Sequence, residues 1–156
     1  MTEGLHFEVL HPQFRVSVRA NTGKWADEDV DVDAEMAPLI ESLARLGMKT
    51  YESCQNYGEY LRFMDFDHVF EAKRDYAYIE FYWLNDAHWF IRIMRDSGVQ
   101  NPIHHRVVHE GTPDAWELKL RMTKEGHPWV WFPNSDIPGA TKLVADLANS
   151  EEMALD

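Results

Sequence analysis

Residues 33–55, DAEMAPLIESLARLGMKTYESCQ, decide the fold. Met36, Leu39, Ile40, Leu43 and Leu46 recur at spacings of three and four, the mark of one apolar helix face. Pro38 falls in the first turn, where its missing N–H costs least, and Gly47 supplies the stop. Residues 49–55 then read as a strand entered through a tight turn. Thr50, Glu52 and Cys54 are expected on one side of it, Tyr51 and Ser53 on the other. A helix followed at once by a strand needs a sheet to pack on, and the rest of the chain is read for that sheet.

Towards the N-terminus, residues 27–35 carry six acids and no base. Carboxylates ahead of a helix complement its positive end, so a solvated helix lead is expected. Asp29, Asp31 and Asp33 alternate, but the glycine and closing glutamate of a calcium loop are missing at the required spacing. Residues 5–10 and 14–19 suggest a hairpin with Pro12 in its turn. Towards the C-terminus, residues 56–75 read as an irregular excursion packed by its aromatics. YAYIEFYW at 76–83 suits a central strand covered on both faces. Asn85 or Asp86 is expected to cap a helix bearing Ala87, Phe90, Ile91 and Met94. Residues 104–109 and 129–132 read as strands, and 116–122 alternates as a strand with one buried face. A last helix carries Ala140, Leu143, Val144 and Leu147, and the acidic tail at 150–156 is expected to fray. The sum is one α+β domain: a mainly antiparallel sheet with about three helices packed on one face.

Composition narrows the function classes. The 156 residues suffice for one sizeable core, and 45% are apolar. The 27 acids against 15 bases give a net charge of −12, which disfavours general nucleic-acid binding. That charge suits capture of a basic protein, including by mimicry of nucleic acid through Asp27, Asp29 and Asp31. A single cysteine forms no intramolecular disulfide, the first residues lack the pattern of a signal peptide, and no apolar run approaches the ~20 residues of a membrane span. A cytoplasmic protein is expected, with no cofactor. The alternating strand at 116–122 is suited to a sheet edge, which would allow homodimerisation.

The pattern P-L-I-x-x-L-x-x-L-G-x-x-T-x-x-S-C-Q from Pro38 to Gln55, followed by Tyr78-Ile79-Glu80-Phe81 and a capped helix, resembles small uncharacterised proteins of actinobacteria and their bacteriophages. The resemblance covers residues 29–95 and implies an α+β fold and a phage or actinobacterial setting, without a reaction. A fainter likeness of T-x-x-S-C to wybutosine-synthesis proteins breaks where their Ser-Gly-Arg becomes Gln55-Asn56-Tyr57.

Four groups of residues could carry chemistry. Cys54 at the strand end reads first as a packed core residue. As a nucleophile it would need a base such as His105 to activate it. His104, His105 and His109 cluster, and with Cys54 or His127 could form a Cys/His metal site, although no diagnostic ligand spacing supports one. An exposed histidine-rich strand is the plainer reading. Tyr76, Tyr78, Tyr82, Trp129 and Trp131 fall at period two on strands, as core packing or as a stacking face. The loops after Cys54, Trp83 and Phe132 could gather at one end of the sheet. They would bring together Ser53, Gln55, Asn56, Asn85, Asp86, Asn134, Ser135 and Asp136 as a polar ligand pocket. Phosphate loops and esterase elbows are absent. The expectation is a non-catalytic binding protein engaging a host protein or a small polar ligand.

Overall fold

The computed structural model describes residues 15–20, 28–55, 75–109, 112, 114–120 and 127–155. Its elements run β1 (Arg15–Ala20), β2 (Glu28–Asp33), a 3-10 turn (Ala34–Met36), α1 (Ala37–Arg45), β3 (Thr50–Cys54), β4 (Tyr76–Phe81), α2 (Leu84–Arg95), α3 (Pro102–Val108), β5 (Glu117–Leu120), β6 (Pro128–Pro133), a 3-10 turn (Asn134–Asp136) and α4 (Ile137–Leu155). Four strands form an antiparallel sheet in the order β3-β4-β6-β5, and β1 pairs with β2 in a second, two-stranded sheet. The fold is α+β, with four helices among the described residues. None of these helices is long and apolar enough to cross a membrane.

The organising stretch folds as its periodicity demands. Leu39, Ile40 and Leu43 on α1 are 0–1% exposed, and burying each contributes about 1.5–3 kcal/mol relative to leaving it in water. Gly47 ends the helix at φ +84°, a backbone region that glycine enters at little cost. Met36, Ala77, Ile79, Phe81, Phe90, Val130, Phe132 and Val144 join α1 in one core between the helices and the sheet. Ala77, Ile79 and Phe81 supply one face of β4, while Tyr76, Tyr78 and Glu80 supply the other and are equally buried. The expected central strand covered on both faces is therefore present.

Several expectations are corrected. The acidic run is not a solvated loop but strand β2, and its partner is β1, with Asp29 opposite Arg19 and Asp33 opposite Arg15 in register. The expected earlier half of a hairpin, residues 5–10, lies outside the described residues, as do residues 56–74 of the excursion expected at 56–75 and the turn at 124–126. The segment at 104–109 is helix α3, not a strand. Asn101 accepts the Ile103 N–H at 2.9 Å as N-cap, and Pro102 opens the first turn, an Asn-Pro start signal that outweighs the β-branched valines. The tail expected from residue 150 is helical as far as Leu155, where α4 ends. Arg45 on α1 reaches across to it, donating to Glu152 and Asn149 at 2.5 Å each.

Candidate functional site

The most unusual chemistry lies on the sheet face turned away from the helices. Glu80 sits mid-strand in β4 at 1% exposure, and its Oε2 meets His127 Nδ1 at 3.0 Å. A carboxylate so deep is tolerated only with partners, and the His127 ring nitrogen is one of them. His127 is 5% exposed, and its ring packs against both Tyr51 and Tyr82, at centroid distances of 4.6 and 4.8 Å.

A β-bulge builds this arrangement. Thr50 pairs with Phe81 and Glu52 with Glu80, so Tyr51 is the extra residue between them. In a regular strand Tyr51 would face away from Glu52. The bulge instead turns it onto His127, the kind of re-aiming for which bulges serve. Thr50 accordingly lies across from Phe81 on the helix side, opposite to the expected alternation. Glu52 and Glu80 are then direct cross-strand neighbours, an arrangement that like charges disfavour. Each has its own partner: Glu52 accepts the Tyr78 O–H at 2.5 Å, and Glu80 holds His127.

The rings continue outward to the surface. Tyr82 meets Trp83 edge-on at 5.0 Å and Tyr51 at 6.5 Å. Tyr51, Trp83 and the adjacent Leu84 are 57%, 52% and 43% exposed. A contiguous aromatic corner therefore opens to solvent above a buried acid–histidine pair. Further along the same face, Tyr78 stacks on Trp129 and both pack at a tilt against Trp131, with centroids 4.9–5.1 Å apart, next to buried Cys54 and Tyr76. The aromatics expected at period two thus divide into a packed inner group and an open corner.

Strand order separates the residues expected to form one polar pocket. Strands β3 and β6 both run antiparallel to β4. Ser53, Gln55, Asn134 and Asp136 therefore lie at one end of the sheet, while Asn85 and Asp86, which follow β4, lie at the other. Asn56 falls outside the described residues. Structural bonds also engage the strongest members. Gln55 donates its N–H to Asp33 Oδ2 at 2.9 Å and accepts the Glu35 N–H at 3.0 Å, joining the ends of β2 and β3. Asp86 accepts the Lys49 N–H at 2.9 Å instead of capping α2, whose N-cap is Trp83. Asp136 accepts from both Nε and a terminal nitrogen of Arg106, and from Trp116 Nε1 at 2.9 Å. Ser53 and Asn134 are half-buried, and Asn85 is exposed.

Beside the Asp136 clamp, Tyr76 donates its O–H to the Ala115 carbonyl at 2.6 Å. Burial, with Asp114 and Asp136 nearby, pushes its pKa up from 10.0 to about 12, against the opposing charge of Arg106.

Cys54 and the histidine cluster do not meet. Cys54 is buried among Tyr76, Tyr78 and Trp131, whereas α3 packs Ile103 and Val107 into the core on the helix side. The Cys54–His105 pairing that catalysis would require is absent. His105 and His109 stack on each other at 5.8 Å along exposed α3, and His104 donates from Nδ1 to the Arg95 carbonyl. Among the described residues no three His, Cys, Asp or Glu converge to hold a metal ion.

Tyr51, Glu80 and His127 were not legible together as a site. The one available signal was a glutamate inside an otherwise apolar central strand, since a buried acid requires a partner elsewhere. No family model, curated protein or solved structure matches the chain.

Proposed function

We propose that this chain is a non-catalytic, cytoplasmic binding protein that engages a partner protein through the corner formed by Tyr51, Tyr82, Trp83 and Leu84. One observation carries the reading: two large exposed aromatic side chains, Tyr51 and Trp83, are linked by ring contacts through Tyr82, and exposed Leu84 follows Trp83 directly in the chain. Tyrosine and tryptophan dominate the energetics of protein interfaces, and contiguous exposed patches of them mark contact surfaces. The Glu80–His127 pair beneath holds Tyr51 in place, so less side-chain entropy is lost when a partner docks. The net charge of −12 favours a partner whose apolar patch is ringed by lysine and arginine. On the resemblance to actinobacterial phage proteins, that partner would be a host protein.

The test places a photo-crosslinking amino acid at position 83 and, as a control, at Val99, which is 67% exposed. The same protein should be trapped from position 83 and not from 99. Once purified, that protein should bind the wild-type chain with an affinity that falls as salt rises, and Trp83→Ala should weaken binding by about 2 kcal/mol or more. Equal trapping at both positions, or wild-type affinity for Trp83→Ala, would defeat the proposal.

A further inference from the structure

A groove of about 400 Å³ lies between α2, α3 and β5, apart from the aromatic corner. Its volume is in the range of small-molecule sites, roughly 300–1,000 Å³. Trp116 and Leu118 line it from the β5 side, Val107 and Val108 from α3, and Ile91 from α2. His88 and Arg95 are the other lining residues among those described, one turn before and one turn after Ile91 on α2. None of these residues is acidic, although acids outnumber bases 27 to 15 in the whole chain.

The polar groups indicate the kind of ligand. The Arg95 side chain is 52% exposed, and its nearest carboxylate among the described residues is Asp96 at 3.9 Å, too far for a hydrogen bond. Its guanidinium therefore presents a planar donor set at the edge of an apolar groove, geometry suited to a carboxylate. The overall charge of −12 opposes polyanions, so a single carboxylate is the anion least penalised. Val108 remains 39% exposed, leaving apolar surface that an aliphatic or aromatic body would cover.

We infer that this groove binds a small monocarboxylic acid, with its apolar body against Trp116 and Leu118 and its carboxylate on Arg95. The inference is independent of the partner-binding corner.

The experiment is an NMR titration of the full chain with octanoate, octanol and octylammonium, each below its aggregation threshold. Octanoate should shift the Trp116 indole N–H and the methyls of Ile91, Val107 and Leu118 saturably. Arg95→Gln should weaken octanoate by about three- to fivefold, the worth of one partly exposed ion pair, and leave octanol unchanged. Val108→Trp, placed at a partly exposed position to spare the fold, should fill the groove and remove both. Absence of saturable shifts at these residues, octylammonium binding as tightly as octanoate, or indifference to Arg95→Gln would overturn the assignment. So would a native dimer that Val108→Trp converts to monomer, since the occupant would then be a second copy of the chain.

Discussion

Replacing Asp136 tests the junction that holds α3 and β5 to the start of α4. The carboxylate is 4% exposed and accepts three hydrogen bonds: two from Arg106 on α3 and one from the indole of Trp116, just before β5. Removing one partner of a buried ion pair costs about 3–5 kcal/mol, because the remaining charge stays desolvated. Here the Arg106 side chain is 29% exposed, so water recovers part of that loss and the cost of Asp136→Ala falls to about 2–3 kcal/mol. Trp116→Phe keeps the ion pair and removes one charged acceptor bond, at about 1–2 kcal/mol including the smaller ring. Arg106→Met should cost at least as much as Asp136→Ala, since it strands the deeper charge. Urea denaturation of the single variants and of the 106/136 double variant gives the coupling energy from unchanged slopes. A coupling of about 1.5 kcal/mol or more is expected. A coupling below about 0.5 kcal/mol, or a neutral Asp136→Ala, would refute the idea that this carboxylate is structural. Asp136 would then be available for the ligand role that its position in the sequence first suggests.

Other predictions concern separate parts of the fold. Tyr76 has a folded-state pKa of about 12 against an ordinary 10.0, so the native state retains its proton longer and stability falls between those values as pH rises. Tyr76→Phe should be less stable than wild type at neutral pH, having lost the bond to Ala115, yet show a shallower decline above pH 10, measured by urea midpoints across the alkaline range. Gly47→Ala should cost about 1 kcal/mol from its positive φ alone, because a Cβ there meets nothing within 4 Å; a larger loss would point to a clash that the geometry does not contain. Arg45→Ala should speed amide exchange in the last turns of α4 without changing exchange in β4, since it releases Glu152 and Asn149. Finally, His127→Phe should leave the chain folded but less stable, because Glu80 loses the imidazole it holds. It should also broaden the Tyr51 ring signals, whereas unchanged Tyr51 resonances would show that the imidazole does not position that ring.

What could be read from the amino-acid order alone was set by local physics. The 3.6-residue periodicity of Leu39, Ile40 and Leu43, the first-turn Pro38 and the Gly47 stop place α1. The almost continuously apolar run of β4 and the alternation that includes Leu118 and Leu120 place a central and an edge strand. The α+β class follows from those neighbours in sequence. Longer-range relations did not. Strand order sent the loops after β3 and β4 to opposite ends of the sheet, which parted Asp86 from Asp136. A single bulge reversed the facing of Tyr51, and nothing in TYESC announces it. Glu80 and His127 stand 47 residues apart and meet only because β4 and β6 pair. Hydrophobic period is written residue by residue, whereas register, bulges and polar partners depend on which distant strand lies alongside; for this protein only the tertiary structure decided where the candidate surfaces lie.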